Sequence, residues 1–138
     1  MKKYFKSLFA FIFVFGLFFS LSSIDIEAAQ KKKYDTWQEV AKDMNIEFQA
    51  AKKFIEEGKN DEAYNAMNRA YFGYYEVQGF EKNVMVNIAA KRVNEIEATF
   101  RRIKHTLKGN IQGNVEELDK EIDTLAMKVY KDAMVLDG

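Results

Sequence analysis

Apolar residues recur along most of this chain at alternating intervals of three and four, the spacing that lines one face of an α-helix. Four stretches carry the pattern. In the first, Trp37, Ala41, Met44, Phe48, Ala51 and Ile55 form the seam. Asp35 with Gln38, or Thr36 with Glu39, offers a capping box at its start. Gly58 marks its stop, because glycine accepts a left-handed backbone just past a helix end. The second seam is Ala63, Met67, Ala70, Tyr74 and Val77, with Asn60 as cap and Gly79 as stop. The third begins near Phe80, follows Ala89, Val93, Ile96, Phe100, Ile103 and Leu107, and stops at Gly109. The fourth is capped by Asn114 with Glu117 and turns Val115, Leu118, Ile122, Leu125, Val129 and Leu136 inward. The chain contains no proline to interrupt a helix. Short connections between four comparable helices predict an all-α, antiparallel up-down four-helix bundle.

A different pattern precedes the bundle. Lys2, Lys3 and Lys6 make a positive start, residues 8–21 (LFAFIFVFGLFFSL) are almost wholly apolar, and small residues appear at Ala28 and Ala29. That order predicts a signal-peptide helix over residues 1–29, cleaved after Ala28 or Ala29. Position −3 would be Ile26 or Glu27, neither of them small, so an uncleaved anchor is the alternative. Either way the positive end stays inside, and the domain of residues 30–138 emerges on the extracytoplasmic side of the membrane or is secreted.

Composition removes several kinds of chemistry. Setting aside Lys2, Lys3, Lys6, Asp25 and Glu27 from the 21 basic and 21 acidic residues leaves 18 against 19. A near-neutral domain lacks the cationic surface that drives nucleic-acid binding, so no nucleic-acid partner is expected. The chain has no cysteine, which excludes thiolate nucleophiles, Cys-ligated zinc and iron–sulfur clusters. Its one histidine, His105, lies among basic residues near the end of the third helix, where the helix dipole accounts for a cation. With no nucleophile–base pattern and no glycine-rich phosphate loop, enzymatic activity is not expected.

Carboxylates are the remaining candidates for chemistry. Glu47 lies on the flanking stripe Val40–Glu47–Phe54, Glu97 borders the seam between Val93 and Phe100, and Glu76 and Glu81 bracket the corner between helices two and three. Acidic side chains on facing helices of a bundle gather around hard cations, which prefer oxygen donors. The competing reading is solvation or pairing: Glu97 stands four residues before Arg101, and Arg92 three before Glu95.

The run AYFGYYEVQGF sets Tyr71, Phe72, Tyr74 and Tyr75 around much of one helix. Phe72 and Tyr75 fall away from the inferred seam, which marks them as an interface candidate. A haem pocket with His105 or a methionine as axial ligand is the sharper alternative. Aromatics at helical spacing are far more often core, and no haem is expected.

The stretch from Asn68 to Lys104, NRAYFGYYEVQGFEKNVMVNIAAKRVNEIEATFRRIK, resembles the extracytoplasmic N-terminal domain of bacterial iron permeases of the high-affinity iron/lead transporter family. The matching pattern is an aromatic-rich helix reaching Glu76, then Gly79 and Glu81, Arg92, and Ile96-Glu97 with Phe100. The resemblance implies iron uptake at the cell surface, with the permease transmembrane domain and other uptake components as partners. In that setting the domain would capture iron, hand it over, or dock those partners. The resemblance makes Glu76, Glu81 and Glu97 the preferred iron ligands, with Arg92 positioning a carboxylate; Glu47 is added from periodicity. The family's translocating helices carry an Arg-Glu-x-x-Glu motif that this sequence lacks, and no hydrophobic span follows Leu21. The chain is therefore expected to be a truncated product, a fragment or a stand-alone relative that does not translocate iron itself. Membrane association would come through the permease or an uncleaved signal. A secreted, metal-free interaction module docking through the aromatic face is the alternative.

Overall fold

The first helix, α1 (Trp37–Glu56), opens on the second of the two candidate capping boxes. The Thr36 hydroxyl accepts from the Glu39 amide at 3.3 Å, and the Glu39 carboxylate accepts from the Thr36 amide at 3.3 Å. In the computed structural model residues 32–109 and 113–138 are described. The export segment of residues 1–29, and the middle of the GNIQG connection, lie outside them. Residues 33–138 form one compact unit.

After Gly58 the chain enters α2 (Asn60–Asn68), with Lys59 rather than Asn60 at the cap position and no side-chain cap bond. The helix then widens without a break into a π-helical segment, Arg69–Glu76. There the amide of Val77 donates to the carbonyl of Phe72, five residues back, at 3.4 Å. This widening overturns only the end of the expected second seam, whose Ala63, Met67 and Ala70 are buried as expected and whose Tyr74 is partly buried. Beyond Ala70 a period of 3.6 puts Tyr74 and Val77 inside, whereas five-residue closure carries the core from Ala70 to Tyr75. Tyr75 is 0 % exposed and Val77 49 %. Tyr75 therefore cannot belong to an exposed aromatic face; Phe72, 50 % exposed, still does.

Gly79 follows in the left-handed region at φ 77°, a conformation that a side chain there would strain. The single third helix expected from Phe80 is two helices, α3 (Phe80–Asn87) and α4 (Ala90–Leu107), divided at Ile88 and Ala89. The reason is geometric. Val84 and Val93 are nine residues apart, which puts them on opposite faces of a continuous α-helix. Both are buried, so the chain breaks, with Ala89 extended at φ −171° and ψ 145°. The last helix, α5 (Val115–Asp137), is capped by Asn114, whose side-chain oxygen accepts from the Glu117 amide at 2.9 Å.

The described residues are all-helical. Helix α1 packs on α5 and on α2 with its π extension, α4 packs on α2 and α5, and α3 wedges against the π segment, α4 and α5. An aromatic chain runs through the interior: Phe48–Phe100 at 5.8 Å between ring centroids, Phe100–Tyr75 at 6.2 Å, Tyr75–Phe80 at 5.5 Å and Phe80–Trp37 at 5.4 Å. Each pair adds about 0.5–1.5 kcal/mol beyond simple burial, which ties the π segment directly to α3 and α4 and through their rings to α1. Among the described residues no helix is long and apolar enough to cross a membrane.

Candidate functional site

The π segment places Tyr71 where α3 and α4 converge. Its hydroxyl donates to two carboxylates at once, Glu97 Oε1 on α4 at 3.3 Å and Glu81 Oε2 on α3 at 3.4 Å. One hydrogen divided between two acceptors makes both bonds long. Burial, followed by the charges of Glu81 and Glu97, holds the Tyr71 hydroxyl well above its ordinary pKa.

Glu81 is perturbed as well. Burial pushes its carboxyl up, and the adjacent Glu97 charge adds to this. The hydrogen bond from Tyr71 works in the other direction, while Glu76 and a hydrogen bond shared with Glu97 push upward again. The two glutamates are thus like charges held close beneath a phenol that donates to both. Glu76 is exposed at the end of the π segment and acts on the pair through its charge.

Three of the four glutamates singled out in the sequence therefore act on one locus. Glu47 does not. It accepts from Arg69 Nε at 2.9 Å, and its charge is not among those acting on Tyr71 or Glu81. Arg69 opens the π segment, which packs against α1, so it meets Glu47 first. Arg92 does contact carboxylates, but not those of the candidate ligands. It reaches Glu95 at 3.2 Å and the buried Asp132 at 3.3 Å, and so orients a core carboxylate rather than the glutamate pair.

Compared with known proteins, the chain matches no family model, no curated protein and no solved structure.

Asp132 went unremarked in the sequence although a signal was present: the α5 seam runs from Val129 directly to Leu136 and skips the inward position between them. The residue there is 3 % exposed, and its Oδ2 has no hydrogen-bond partner. Burial raises its carboxyl, against the opposing pull of Arg92. The hydroxyl of Tyr75 is likewise buried and unpartnered, and Asp132 is the charge that acts on it most strongly. Tyr71 and Tyr75, with centroids 5.9 Å apart, thus link the surface glutamates to this interior carboxylate.

The Tyr71–Glu81–Glu97 locus offers a phenol and two carboxylates, all hard oxygen donors. Among the described residues no three His, Asp or Glu side chains stand grouped as a ready metal cage. A cation would have to replace the Tyr71 proton that the two carboxylates divide and draw the donors together.

Proposed function

We propose that this chain is the exported helical domain of an iron-uptake permease, which captures iron or hands it over outside the membrane and is not itself an enzyme. Its transmembrane partner and other uptake components would dock beside it, held at the membrane by the permease or by an uncleaved signal. The finer architecture proposed is an up-down four-helix bundle, with α3 a short wedge between the second and third rods. The neighbour relations of α1, α2, α4 and α5 support that arrangement.

One observation carries the iron reading: a tyrosine hydroxyl bonded to glutamates from two different helices, with a third glutamate in electrostatic reach. A ferric or ferrous ion favours oxygen donors of this kind and would displace the proton of the Tyr71 hydroxyl. Uptake should therefore release protons and weaken as pH falls. The test is ferric binding to the detergent-solubilised full chain. A visible iron–tyrosinate absorption is expected, lost in Tyr71→Phe and weakened in Glu97→Gln. Unaltered absorption in Tyr71→Phe would remove the site.

A second reading has its own support. Phe72 and Val77 both lie half exposed on or beside the π segment. A metal-free interaction module would dock there, and capture of a membrane partner would be abolished by Phe72→Asp and untouched by Tyr71→Phe.

A further inference from the structure

Glu97 and Arg101 stand at the i, i+4 spacing that ordinarily forms a helical ion pair. Here the pair is not made. Glu97 accepts from Tyr71 instead, and Arg101 has no ion pair or hydrogen bond among the described residues. The exposed guanidinium borders a cleft of about 210 Å³ whose other walls are Tyr71, Glu97, Phe100 and Lys104.

Lys104 is fixed in place. Its ammonium donates to Asn68 Oδ1 at 3.1 Å and lies 5.5–6.0 Å from the ring centroids of Tyr64, Tyr71 and Phe72. Glu97, Arg101 and Lys104 follow one another along α4, and Tyr71 comes from the π segment, so the cleft has an acidic, phenolic end and a basic end. A bare cation suits the first end and is repelled by the second; a free anion meets the reverse. A metal ion carrying its own anionic ligand satisfies both. Size points the same way, because the cleft is smaller than the roughly 300–1,000 Å³ that encloses drug-sized ligands.

We propose that the cargo of this site is a small anionic metal chelate, a ferric ion with a hydroxycarboxylate of the citrate class, with Arg101 gripping the chelator's carboxylate while Tyr71 and Glu97 approach the metal. The proposal rests on the iron reading above and names the form in which the iron arrives. Arg101 supplies the planar fork that meets a carboxylate through two parallel hydrogen bonds. Lys104 adds fixed charge.

The experiment is calorimetric titration of the detergent-solubilised full chain and its Arg101→Gln and Glu97→Gln variants with ferric citrate and, separately, with manganese(II) chloride. Arg101 is exposed, so its variant should melt like the parent. Ferric citrate affinity should fall at least about tenfold in Arg101→Gln, the loss of one charge-assisted contact, with manganese affinity held within about twofold. Arg101→Lys should lie between. Glu97→Gln should weaken both ligands. Equal ferric citrate binding by parent and Arg101→Gln, or equal weakening of both ligands in that variant, overturns the proposal. If the parent binds manganese through Glu97 but not ferric citrate, this proposal alone falls. If it binds neither, the iron reading falls with it.

Discussion

Arg92 Nε lies 3.3 Å from Asp132 Oδ1, a contact that joins the first turn of α4 to the interior side of α5. Asp132 is the one buried charged residue among those described. Removing the guanidinium leaves that carboxylate unsupported; removing the negative charge leaves Arg92 with Glu95. Arg92→Ala should therefore destabilise by about 1–3 kcal/mol, below the 3–5 typical of fully buried pairs because Arg92 is partly solvated. Asp132→Asn should change stability by less than about 1 kcal/mol, and should rescue part of the Arg92→Ala loss in the double variant. The raised carboxyl sets the pH sense. Once Arg92 is gone, the folded state binds the Asp132 proton more tightly than the unfolded state does, so the deficit grows from acid to neutral pH. Urea denaturation at several pH values reads all of this.

Glu81 provides the second pH signature. Its folded pKa lies above the ordinary glutamate value, so the native state pays for charging it as pH rises through that range. Glu81→Gln keeps a hydrogen-bonding side chain and drops the charge. It should be more stable than the parent at neutral pH and indistinguishable below the unfolded glutamate pKa. An advantage that persists undiminished in acid would show that burial and the Glu97 charge are not its origin.

Tyr75→Phe deletes a buried hydroxyl that has no partner. An unsatisfied buried polar group costs about 1–3 kcal/mol, so this loss should be neutral or stabilising, with Tm unchanged or raised by several degrees. Tyr71→Phe, which loses two bonded acceptors, should not share the gain. A clear fall in Tm for Tyr75→Phe would mean that its hydroxyl is paired in solution, through water bridging to Asp132.

The two ends of the described unit are joined by Asp137. Its carboxylate accepts from the amides of Trp37 and Gln38 at 2.8 and 3.0 Å and from the Gln38 side chain at 2.9 Å. Partial burial opposes ionisation, but these three bonds outweigh it and hold the carboxyl below its usual range. Asp137→Ala should cost about 0.5–1 kcal/mol, the lower part of the range for a lost helix cap. A depressed acid stabilises above its unfolded pKa, so the difference from the parent should vanish as pH falls through the folded value. Thermal melts at pH 7 and pH 3 make the comparison.

The parts of the fold that could be read in advance are those governed by local rules. The seams of α1, of α4 from Val93 and of α5 from Leu118, the Thr36 and Asn114 caps and the stops at Gly58, Gly79 and Gly109 all follow from side-chain period and turn chemistry; Val115 and Ala89, expected inside, are exposed. The π segment did not follow, because assuming 3.6 residues per turn assigns Tyr74 and Val77 to the core before packing is consulted. The division at Ile88 was hidden for a related reason: only the joint burial of Val84 and Val93 demands it. At the site, Glu76, Glu81 and Glu97 were legible as acids near one corner. Tyr71 as their shared donor was not, nor was Arg101 as a released cation, since both depend on where the widened turn aims a ring.

That widened turn also has a consequence for how such a chain could change. Deleting one residue between Arg69 and Glu76 would restore ordinary winding and rotate everything beyond the cut by about 100°. Tyr75 would leave the interior stack, and the phenol and its acids would lose their alignment, while every connecting loop kept its length. A single codon here would thus dismantle the site while leaving the sequence of every other helix intact.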